Sequence, residues 1–227
     1  MSFPFAHQLG SLFYPAGCLL CHASHQSLRH WVCDPCYAGL CALPPAGQRD
    51  IRLGNGRVLP VFSRWLFDDP VQKLIHALKY ARHFSLAGQL GEELARRFGP
   101  AGWDMQGCTL VPVPLHKRRL EERGFNQSEK LARAIAKATD PRLKVVPLVR
   151  RVRYTQSQTQ LSSEQRQQNV AGAFALSRMR RKQVAGARLV LVDDVLTTGA
   201  TLQACAHILL DSGAAEVRAI TIARAHA

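Results

Sequence analysis

One segment near the carboxyl terminus constrains the fold of this 227-residue chain more than any other. It reads Val190-Leu191-Val192-Asp193-Asp194-Val195-Leu196-Thr197-Thr198-Gly199-Ala200-Thr201. A continuous apolar run is typical of a parallel strand covered on both faces, and the small, hydroxylated turn after it is typical of a helix start. In open α/β sheets, ligands bind at the carboxyl ends of such strands. The segment therefore predicts an α/β fold with a ligand site directly after this strand.

The residue types in the segment suit a phosphorylated sugar. Two adjacent carboxylates, Asp193 and Asp194, can accept hydrogen bonds from a pair of vicinal hydroxyls. The turn that follows offers backbone N–H groups, hydroxyls and a helix N-terminus to a phosphate; it consists of Thr197, Thr198, Gly199, Ala200 and Thr201. No Gly-Lys-Ser/Thr ends the turn, so it is not a P-loop. The alternative is a purely structural strand, acidic turn and threonine-capped helix.

Charge is distributed unevenly along the chain. Residues 1–48 contain one Arg and one Asp, so the whole formal net charge of +14 lies after residue 48. Between residues 116 and 182, 17 Lys and Arg stand against five Asp and Glu. Basic charge at this density indicates a polyanionic partner or substrate, which is nucleic acid, pyrophosphate or both. A solvated surface is the alternative, above all for the cluster at residues 178–182.

Neither a membrane span nor a secretory signal is evident in the sequence. No stretch approaches the roughly 20 apolar residues that cross a bilayer. Residues 1–17 lack the basic region of a signal peptide. We therefore expect a cytoplasmic protein with no membrane insertion, in which cysteines bind metal or stay reduced more often than they form disulfides. Cys108 and Cys205 are isolated and are expected to be buried apolar residues.

Two C-x-x-C pairs near the N-terminus are separated by eleven residues. Four thiolates at this spacing can close a tetrahedral zinc site, and a segment with so little core would need the metal to fold. The sequence therefore predicts a structural Zn²⁺ ion in a small module and linker at residues 1–48. Its ligands would be Cys18, Cys21, Cys33 and Cys36.

Three alternatives stay open for these cysteines. The first pair with His22 also matches a c-type haem attachment site, although haem attachment normally requires export and would leave the second pair without a role. A redox C-x-x-C is expected within a βαβ unit instead of beside a second pair. Finally, one thiolate could be replaced by another ligand, namely His22, His25, His30 or Cys41.

The remaining residues, 49–227, predict alternating strands and helices. Strands are expected at 58–67, 109–113, 144–149 and 216–223, besides the run at 190. Helices are expected from residue 69 onward and at 86–98, 126–138 and 201–212. Such alternation favours a single α/β domain with a mainly parallel sheet.

Two basic segments lie between these elements. The first contains Val111-Pro112-Val113-Pro114, a basic loop at 115–120, and Arg123-Gly124-Phe125-Asn126-Gln127-Ser128. A basic loop beside the acid pair could neutralise a pyrophosphate. Asn126 and Gln127 have an alternative role in capping and packing the next helix. The second segment, 151–172, is long, polar and basic, which is typical of a mobile flap.

The order of these motifs resembles the ComF family, a group of phosphoribosyltransferase-like proteins linked to natural competence and the use of external DNA. The resemblance covers residues 18–224. It includes the zinc ribbon, Leu78-Lys79-Tyr80, the two segments just described and the run at 190–201. In the flap, the matching positions are Arg151, Arg153, Thr155, Gln158, Leu161, Arg166, Asn169, Gly172 and Phe174. The run at 190–201 itself resembles the phosphoribosyl pyrophosphate (PRPP) motif of type I phosphoribosyltransferases.

The resemblance implies a type I phosphoribosyltransferase fold that binds PRPP with Mg²⁺. Asp193 and Asp194 would hold the ribose hydroxyls, and the turn at 197–201 would hold the 5-phosphate. The pyrophosphate loop would comprise Val113, Pro114, Lys117, Arg118 and Arg119. The case for contact with pyrophosphate is weaker for Arg119, and likewise for Arg123, than for Lys117 and Arg118. The catalytic flexible loop would contain Arg151, Arg153, Thr155, Gln158 and Arg166.

The function implied by the resemblance is PRPP binding within DNA uptake and natural transformation. Transfer of the phosphoribosyl group to a nitrogen nucleophile is the reaction that such a site would support. Two alternatives stay open: a non-catalytic, zinc-containing adaptor that binds single-stranded DNA and a competence helicase, and a nucleotide-salvage phosphoribosyltransferase. Stacking on single-stranded DNA needs exposed rings, for which the candidates are Trp31, Tyr37, Phe125, Tyr154 and Phe174.

Overall fold

The structure is a computed structural model that describes residues 17–24, 31–54, 56–80, 84–99, 102–154 and 172–226. Its strands are β1 (Gly47–Arg52), β2 (Val58–Leu66), β3 (Cys108–Pro112), β4 (Lys144–Val145), β5 (Val149–Arg151), β6 (Phe174–Leu176), β7 (Arg188–Leu196) and β8 (Glu216–Arg224). Its helices are α1 (Asp34–Ala42), α2 (Asp69–Tyr80), α3 (Phe84–Phe98), α4 (Lys117–Arg123), α5 (Gln127–Thr139) and α6 (Ala200–Asp211). A 3-10 helix spans Arg178–Gln183.

The main sheet has six strands in the order β1-β2-β8-β7-β3-β4. All neighbours pair in parallel except β1 and β2, which are antiparallel. β5 and β6 form a separate antiparallel pair. The predicted α/β fold with a mainly parallel sheet is confirmed. The expected strand at 144–149 is instead divided between the short strands β4 and β5.

Strand β7 is buried on both faces, as its continuous apolar run predicts. Val190 and Val192 pack into the core that contains the apolar residues of α2, α3 and α5. Leu189 and Leu191 pack into the opposite core, with residues of α6, β5 and β6. Full burial of one such aliphatic side chain stabilises a fold by about 1.5–3 kcal/mol. β7 therefore fixes the centre of the domain and with it the position of the residues that follow.

Helices α3 and α5 approach each other closely on one face of the sheet. A Cβ atom added at Gly91 would lie 2.4 Å from the Cβ of Ala134. Only a glycine at this crossing lets the two backbones come so near. The close packing fixes α5, whose first turn lies at the carboxyl edge of the sheet.

The N-terminal module shares a core with the α/β domain. Cys18, Trp31 and Leu40 belong to the same buried cluster as Trp65 and Leu74. The indole N–H of Trp65 also donates to the carbonyl of Leu40 at 3.0 Å. β1 begins at Gly47, inside the predicted module-and-linker segment 1–48, and the division into two domains remains a prediction.

A buried ion pair reinforces this junction. Arg64 Nε lies 2.9 Å from Glu93 Oε1, and both side chains are almost fully buried. The other guanidinium nitrogens of Arg64 donate to the carbonyl of Cys41, in the last turn of α1, and to that of Leu43, just beyond the end of the helix. Arg64 therefore ties β2, α3 and the module together.

No helix in the described segments is both long enough and apolar enough to cross a membrane.

Candidate functional site

The predicted acid pair lies at the carboxyl edge of the parallel sheet. Asp193 and Asp194 occupy the last part of β7, and the neighbouring strand β3 ends at Pro112. The backbone N–H of Val113 donates to the carbonyl of Val192 at 3.0 Å. The segment that begins with Val113 and Pro114 therefore starts beside the acid pair.

Both carboxylates are held in place by protein donors. Oδ1 of Asp193 accepts hydrogen bonds from Ser128 Oγ at 3.1 Å and from the backbone N–H of Asp194 at 2.9 Å. Oδ2 of Asp194 lies 2.7 Å from Lys79 Nζ and accepts a longer hydrogen bond, 3.4 Å, from Gln127 Nε2. Because α2 and α5 orient the pair from two sides, the carboxylates are preorganised for a ligand.

Burial and mutual repulsion make this acid pair unusual. Burial, followed by the negative charge of Asp194, raises the pKa of Asp193 to about 7. The hydrogen bond from the Asp194 N–H, the charge of Lys79 and the hydrogen bond from Ser128 act in the opposite direction. A strongly raised carboxyl pKa of this kind, as at Asp193, is typical of groups at functional sites.

The turn after β7 requires glycine at its centre. Gly199 has φ of +83° and precedes the first residue of α6. A Cβ atom at this position would also lie 2.7 Å from Ile51 Cδ1. The Oγ1 of Thr198 accepts a long hydrogen bond, 3.5 Å, from the N–H of Ala200. The turn thus wraps around the N-terminus of α6, where the helix dipole favours an anion.

The residues of this turn differ in exposure. Gly199 and Ala200 are buried and form the floor of the turn, whereas Thr197, Thr198 and Thr201 are half-buried. All five predicted phosphate residues therefore lie together, next to the acid pair.

The basic segment after β3 is a helix where the sequence predicted a loop. His116 caps α4 by accepting the N–H of Arg118 on Nδ1, at 3.3 Å, and Gly124 ends the helix with φ of +80°. The run Lys-Arg-Arg-Leu-Glu-Glu-Arg has high helix propensity throughout. The expectation of a loop rested on charge alone and was wrong, because the same residues also favour a helix.

The cations of α4 point in different directions. The Lys117 side chain is 84% exposed and lies 3.7 Å from Glu121 Oε1. The guanidinium of Arg118 lies 5.2 Å from the ring centroid of Tyr154. Arg123 contacts the ring of Tyr80 at 5.2 Å and donates to Gln127 Oε1. Arg123, which had the weaker case, therefore reaches the residues around Asp194, whereas the contacts of Lys117 and Arg118 lie elsewhere.

Arg151 brings the start of the predicted flap to the acid pair. Burial lowers the pKa of Arg151, and the charges of Asp193 and Arg119 act on it in opposite directions. Its guanidinium lies 5.3 Å from the ring centroid of Phe174. Arg119, Arg151 and Asp193 therefore share one charged region. Arg153 is exposed, and Thr155, Leu161 and Asn169 lie outside the described residues, together with Gln158 and Arg166.

The start of α5 has two roles. Asn126 caps the helix by accepting the N–H of Ser128 at 3.1 Å, and its amide donates to the carbonyl of Val113 at 3.0 Å. Gln127 and Ser128 instead contact the acid pair. The capping role predicted for Asn126 is confirmed, whereas Gln127 belongs to the site.

Lys79 and Ser128 were not predicted as site residues. Lys79 follows the apolar face formed by Val71, Leu74, Ile75 and Leu78. That periodicity does not indicate which strand the end of α2 will reach. The available signal was the presence of Leu78-Lys79-Tyr80 among the motifs of the family resemblance. The sequence did contain a signal for Ser128. It stands in the first turn of a helix that begins directly after the basic segment, so its hydroxyl could be expected near the site.

The four predicted zinc ligands form a second site. All four sulfurs lie within 4.8 Å of one another; they belong to Cys18, Cys21, Cys33 and Cys36. The Sγ atoms of Cys21 and Cys33 are 3.6 Å apart. Tetrahedral zinc, with bonds of about 2.3 Å, places sulfurs about 3.8 Å apart. The donor set and its spacing therefore fit zinc.

The alternatives for this cluster can now be compared. The second cysteine pair lies in one cluster with the first. Haem attachment would use only the first pair, so the cluster favours metal binding by all four cysteines. Among the described residues, neither His22 nor Cys41 belongs to the cluster. His25 and His30 lie outside the described residues. Cys108 and Cys205 are buried, as expected.

Hydrogen bonds prepare one thiol of the cluster to ionise. Burial acts to raise the pKa of Cys18, but N–H groups of Cys21, Cys33 and Leu20 lower it to about 6. The neighbouring thiols of Cys33 and Cys21 raise the pKa of Cys36 to about 12. Four thiolates cannot coexist here without a cation, and a dication supplies that charge.

Comparison with known proteins identifies the family. A model of the phosphoribosyl transferase domain matches residues 120–227. The DNA utilization protein YhgH of Salmonella typhimurium is 33% identical, over 94% of this chain and 99% of the relative. Competence protein F of Haemophilus influenzae is 28% identical over the same shares. Competence protein ComFC of Bacillus subtilis is 27% identical, over 91% of this chain and 83% of the relative.

The match to YhgH spans almost the whole of both chains, and the matched domain contains the acid pair, the Gly199 turn and the basic residues from 123 onward. The chain therefore belongs to the ComF family of competence and DNA utilization proteins and carries a phosphoribosyltransferase domain.

Proposed function

We propose that this protein binds PRPP together with Mg²⁺ at the carboxyl edge of its sheet and acts in the use of external DNA. One observation carries the proposal: two oriented carboxylates, Asp193 and Asp194, lie directly beside a glycine turn at the N-terminus of α6. Vicinal hydroxyls and a phosphate on one sugar are the ligand groups that this combination suits. The names of the relatives support the part in DNA use.

Each end of the ligand has candidate partners. The protein holds Oδ1 of Asp193 and Oδ2 of Asp194, so the second oxygen of each carboxylate is the atom that we expect to accept a ribose hydroxyl. The 5-phosphate would bind the turn at residues 197–201. Arg119, Arg123 and Arg151 would compensate the charge of the pyrophosphate. Mg²⁺ binds phosphate oxygens readily and would neutralise the same group.

The arrangement suits displacement of pyrophosphate by a nitrogen nucleophile. The bond between C1 and the pyrophosphate oxygen breaks, the oxygen keeps the electron pair, and a C1–N bond forms while the nitrogen loses a proton to solvent. Positive charge develops on the sugar ring in this step. The carboxylates of Asp193 and Asp194 would stabilise the ring, and the arginines would stabilise the departing pyrophosphate.

Calorimetric titration of Mg²⁺ and PRPP tests the binding part of the proposal. Asp194→Asn should weaken binding at least tenfold, because it removes a charged acceptor. Asp140→Asn is the matched control, since Asp140 follows the far end of α5 and pairs with its neighbour Arg142. Pyrophosphate release with a panel of bases and amines tests transfer in parallel. A folded, zinc-loaded protein that does not bind PRPP would refute the proposal.

A second candidate function, an adaptor for single-stranded DNA, is favoured by the surroundings of Tyr154. Its side chain is 40% exposed and contacts Arg118 and His116, at ring or guanidinium distances of 5.2 Å each. The other candidate rings are less accessible for stacking on bases. Trp31, Phe125 and Phe174 are buried, and Tyr37 Oη accepts a hydrogen bond from Arg96.

Fluorescence anisotropy with oligothymidylate tests this candidate. Tyr154→Ala should weaken binding by roughly 1–3 kcal/mol, and affinity should fall steeply from 50 to 200 mM salt. Equal affinity of the variant and the wild type would exclude Tyr154 as a stacking residue.

A further inference from the structure

Among the described residues, Lys79 makes the shortest polar contact with the acid pair. Its Nζ lies 2.7 Å from Asp194 Oδ2, and the Lys79 and Asp194 side chains are 26% and 9% exposed. An ion pair on an open surface contributes little, but partial burial removes much of the solvent screening. The pair therefore differs from the exposed lysine pairs of α2 and α4, Lys73 with Asp69 and Lys117 with Glu121.

A ring of contacts fixes the end of α2 over the site. Tyr80, next to Lys79, contacts the guanidinium of Arg123. Arg123 donates to Gln127 Oε1, and Gln127 Nε2 donates to Asp194 Oδ2. Lys79 closes the ring on that same oxygen. Lysine is normally a flexible side chain, but here its backbone and its ammonium are both held.

We propose that Lys79 is a positioning residue of the sugar site, which holds Oδ2 of Asp194, turns the other oxygen of that carboxylate toward the ligand, and keeps both acids available as acceptors. The inference rests on the proposed function, because it concerns the same site. Lys79 acts through Asp194 and need not touch the sugar itself.

The charges around Asp193 show why one ammonium matters. The charge of Asp194 acts against ionisation of Asp193, whereas the charges of Lys79 and Arg151 favour it. The buried Cys205 thiol nearby stays neutral, because burial and the charge of Asp193 raise its pKa. Ser128, from α5, is uncharged and donates a hydrogen bond. Without Lys79, the charge of Asp194 would be less compensated, so the pKa of Asp193 would rise further above its ordinary value.

Three variants test the proposal. Lys79→Met keeps the length of the side chain but removes its charge, and Lys79→Arg keeps the charge. Lys73→Met is the matched control, because Lys73 lies on the same helix and pairs with Asp69, away from the acids. Circular dichroism and Tm would establish that each variant folds.

Two measurements are needed. The first is a carbon-13 NMR titration of the aspartate carboxyls without ligand, in which Lys79→Met should move the Asp193 midpoint upward by about one pH unit or more. The second is calorimetry with Mg²⁺ and PRPP from pH 6.5 to 8.5. There Lys79→Met should bind at least tenfold more weakly at pH 7 and recover part of the loss at higher pH. Lys79→Arg should retain most of the affinity, and Lys73→Met should match the wild type.

The outcomes separate this inference from the proposed function. Unchanged aspartate titration and unchanged affinity in Lys79→Met would overturn the role of Lys79 while PRPP binding stands. Equal losses in Lys79→Met and Lys79→Arg would also overturn it. A shifted titration in a protein that does not bind PRPP would support the effect of Lys79 on the acid pair and refute the proposed ligand.

Discussion

The indole N–H of Trp31 donates to Ser85 Oγ at 2.6 Å and so joins the cysteine module to the first turn of α3. The Trp31 side chain is 1% exposed, and its backbone N–H donates to Gln89 Oε1 at 3.3 Å. Trp31 lies two residues before Cys33, so the metal site and the main core share one short segment. Loss of the metal should therefore affect the core as well as the module.

We predict that the cysteine cluster binds zinc and that removal of this zinc with a chelator exposes Trp31. The fluorescence maximum should shift to longer wavelength and Tm should fall, because the ion would hold the four cysteines that position Trp31 in the core. The same titration on Trp31→Phe separates this signal from those of Trp65 and Trp103. A shift of equal size in Trp31→Phe, or none in the wild type, would contradict the prediction.

Glu93→Gln is predicted to destabilise the protein by about 3–5 kcal/mol, because it leaves the buried Arg64 guanidinium without its counter-charge. Burial acts to raise the pKa of Glu93, but hydrogen bonds from Arg64 and Arg97 hold it below its ordinary value. Urea denaturation measures the loss. The control is Glu129→Gln, since Glu129 pairs with Arg133 at the surface; an equal effect of the two substitutions would argue against a structural role for the Arg64 pair.

Gly199→Ala is predicted to destabilise the fold and to distort the phosphate turn. A left-handed conformation costs a residue with a side chain about 1–2 kcal/mol, and the new Cβ would also force Ile51 to move. Gly88→Ala is the matched control, because a Cβ there meets no atom within 4 Å and alanine favours a helix by about 0.5–1 kcal/mol. Thermal denaturation should move the two variants in opposite directions. A neutral Gly199→Ala would show that the turn tolerates a side chain.

Sequence reasoning located the parts of the site that follow from strand order. The apolar run of β7 predicted a strand covered on both faces, and parallel strands bring their carboxyl ends to one edge. The sequence therefore placed Asp193 and the segment after Val113 at the same edge of the sheet, and the structure pairs their strands directly. The spacing of the cysteine pairs likewise predicted a four-sulfur cluster.

The rest depends on packing that one sequence does not encode locally. Lys79 reaches Asp194 only because of how the end of α2 lies over the sheet. The run Lys117–Arg123 suits both a basic loop and a helix, and the cap at His116 decides between them. β1 was missed because its residues are mostly polar and only Ile51 is buried.

Asp193→Asn is predicted to stabilise the protein at pH 8 and to have a smaller effect at pH 5. The folded-state pKa of Asp193, about 7, lies above the ordinary value. The protonated form therefore contributes stability at low pH, and this contribution is lost as pH rises from about 4 through 7. Asparagine at this position carries no charge, so Asp193→Asn does not lose this contribution as pH rises.

Tm values of the two proteins between pH 5 and 8 provide the measurement. Both chains keep the same cysteine cluster, so the difference between them reports on Asp193. Each kcal/mol of difference in the free energy of unfolding should appear as a Tm difference of about 2–4 °C in a chain of this size. A difference that is constant with pH would contradict the assignment of the raised pKa to Asp193.

The most direct test of PRPP binding is a nitrogen-15 NMR titration with Mg²⁺ and PRPP that follows the backbone amides of residues 197–201. We predict saturable shifts at these amides in the wild type, and none in Asp193→Asn/Asp194→Asn at the same concentrations. Shifts confined to the basic cluster at 178–182, or the same shifts in the double variant, would contradict the proposed site.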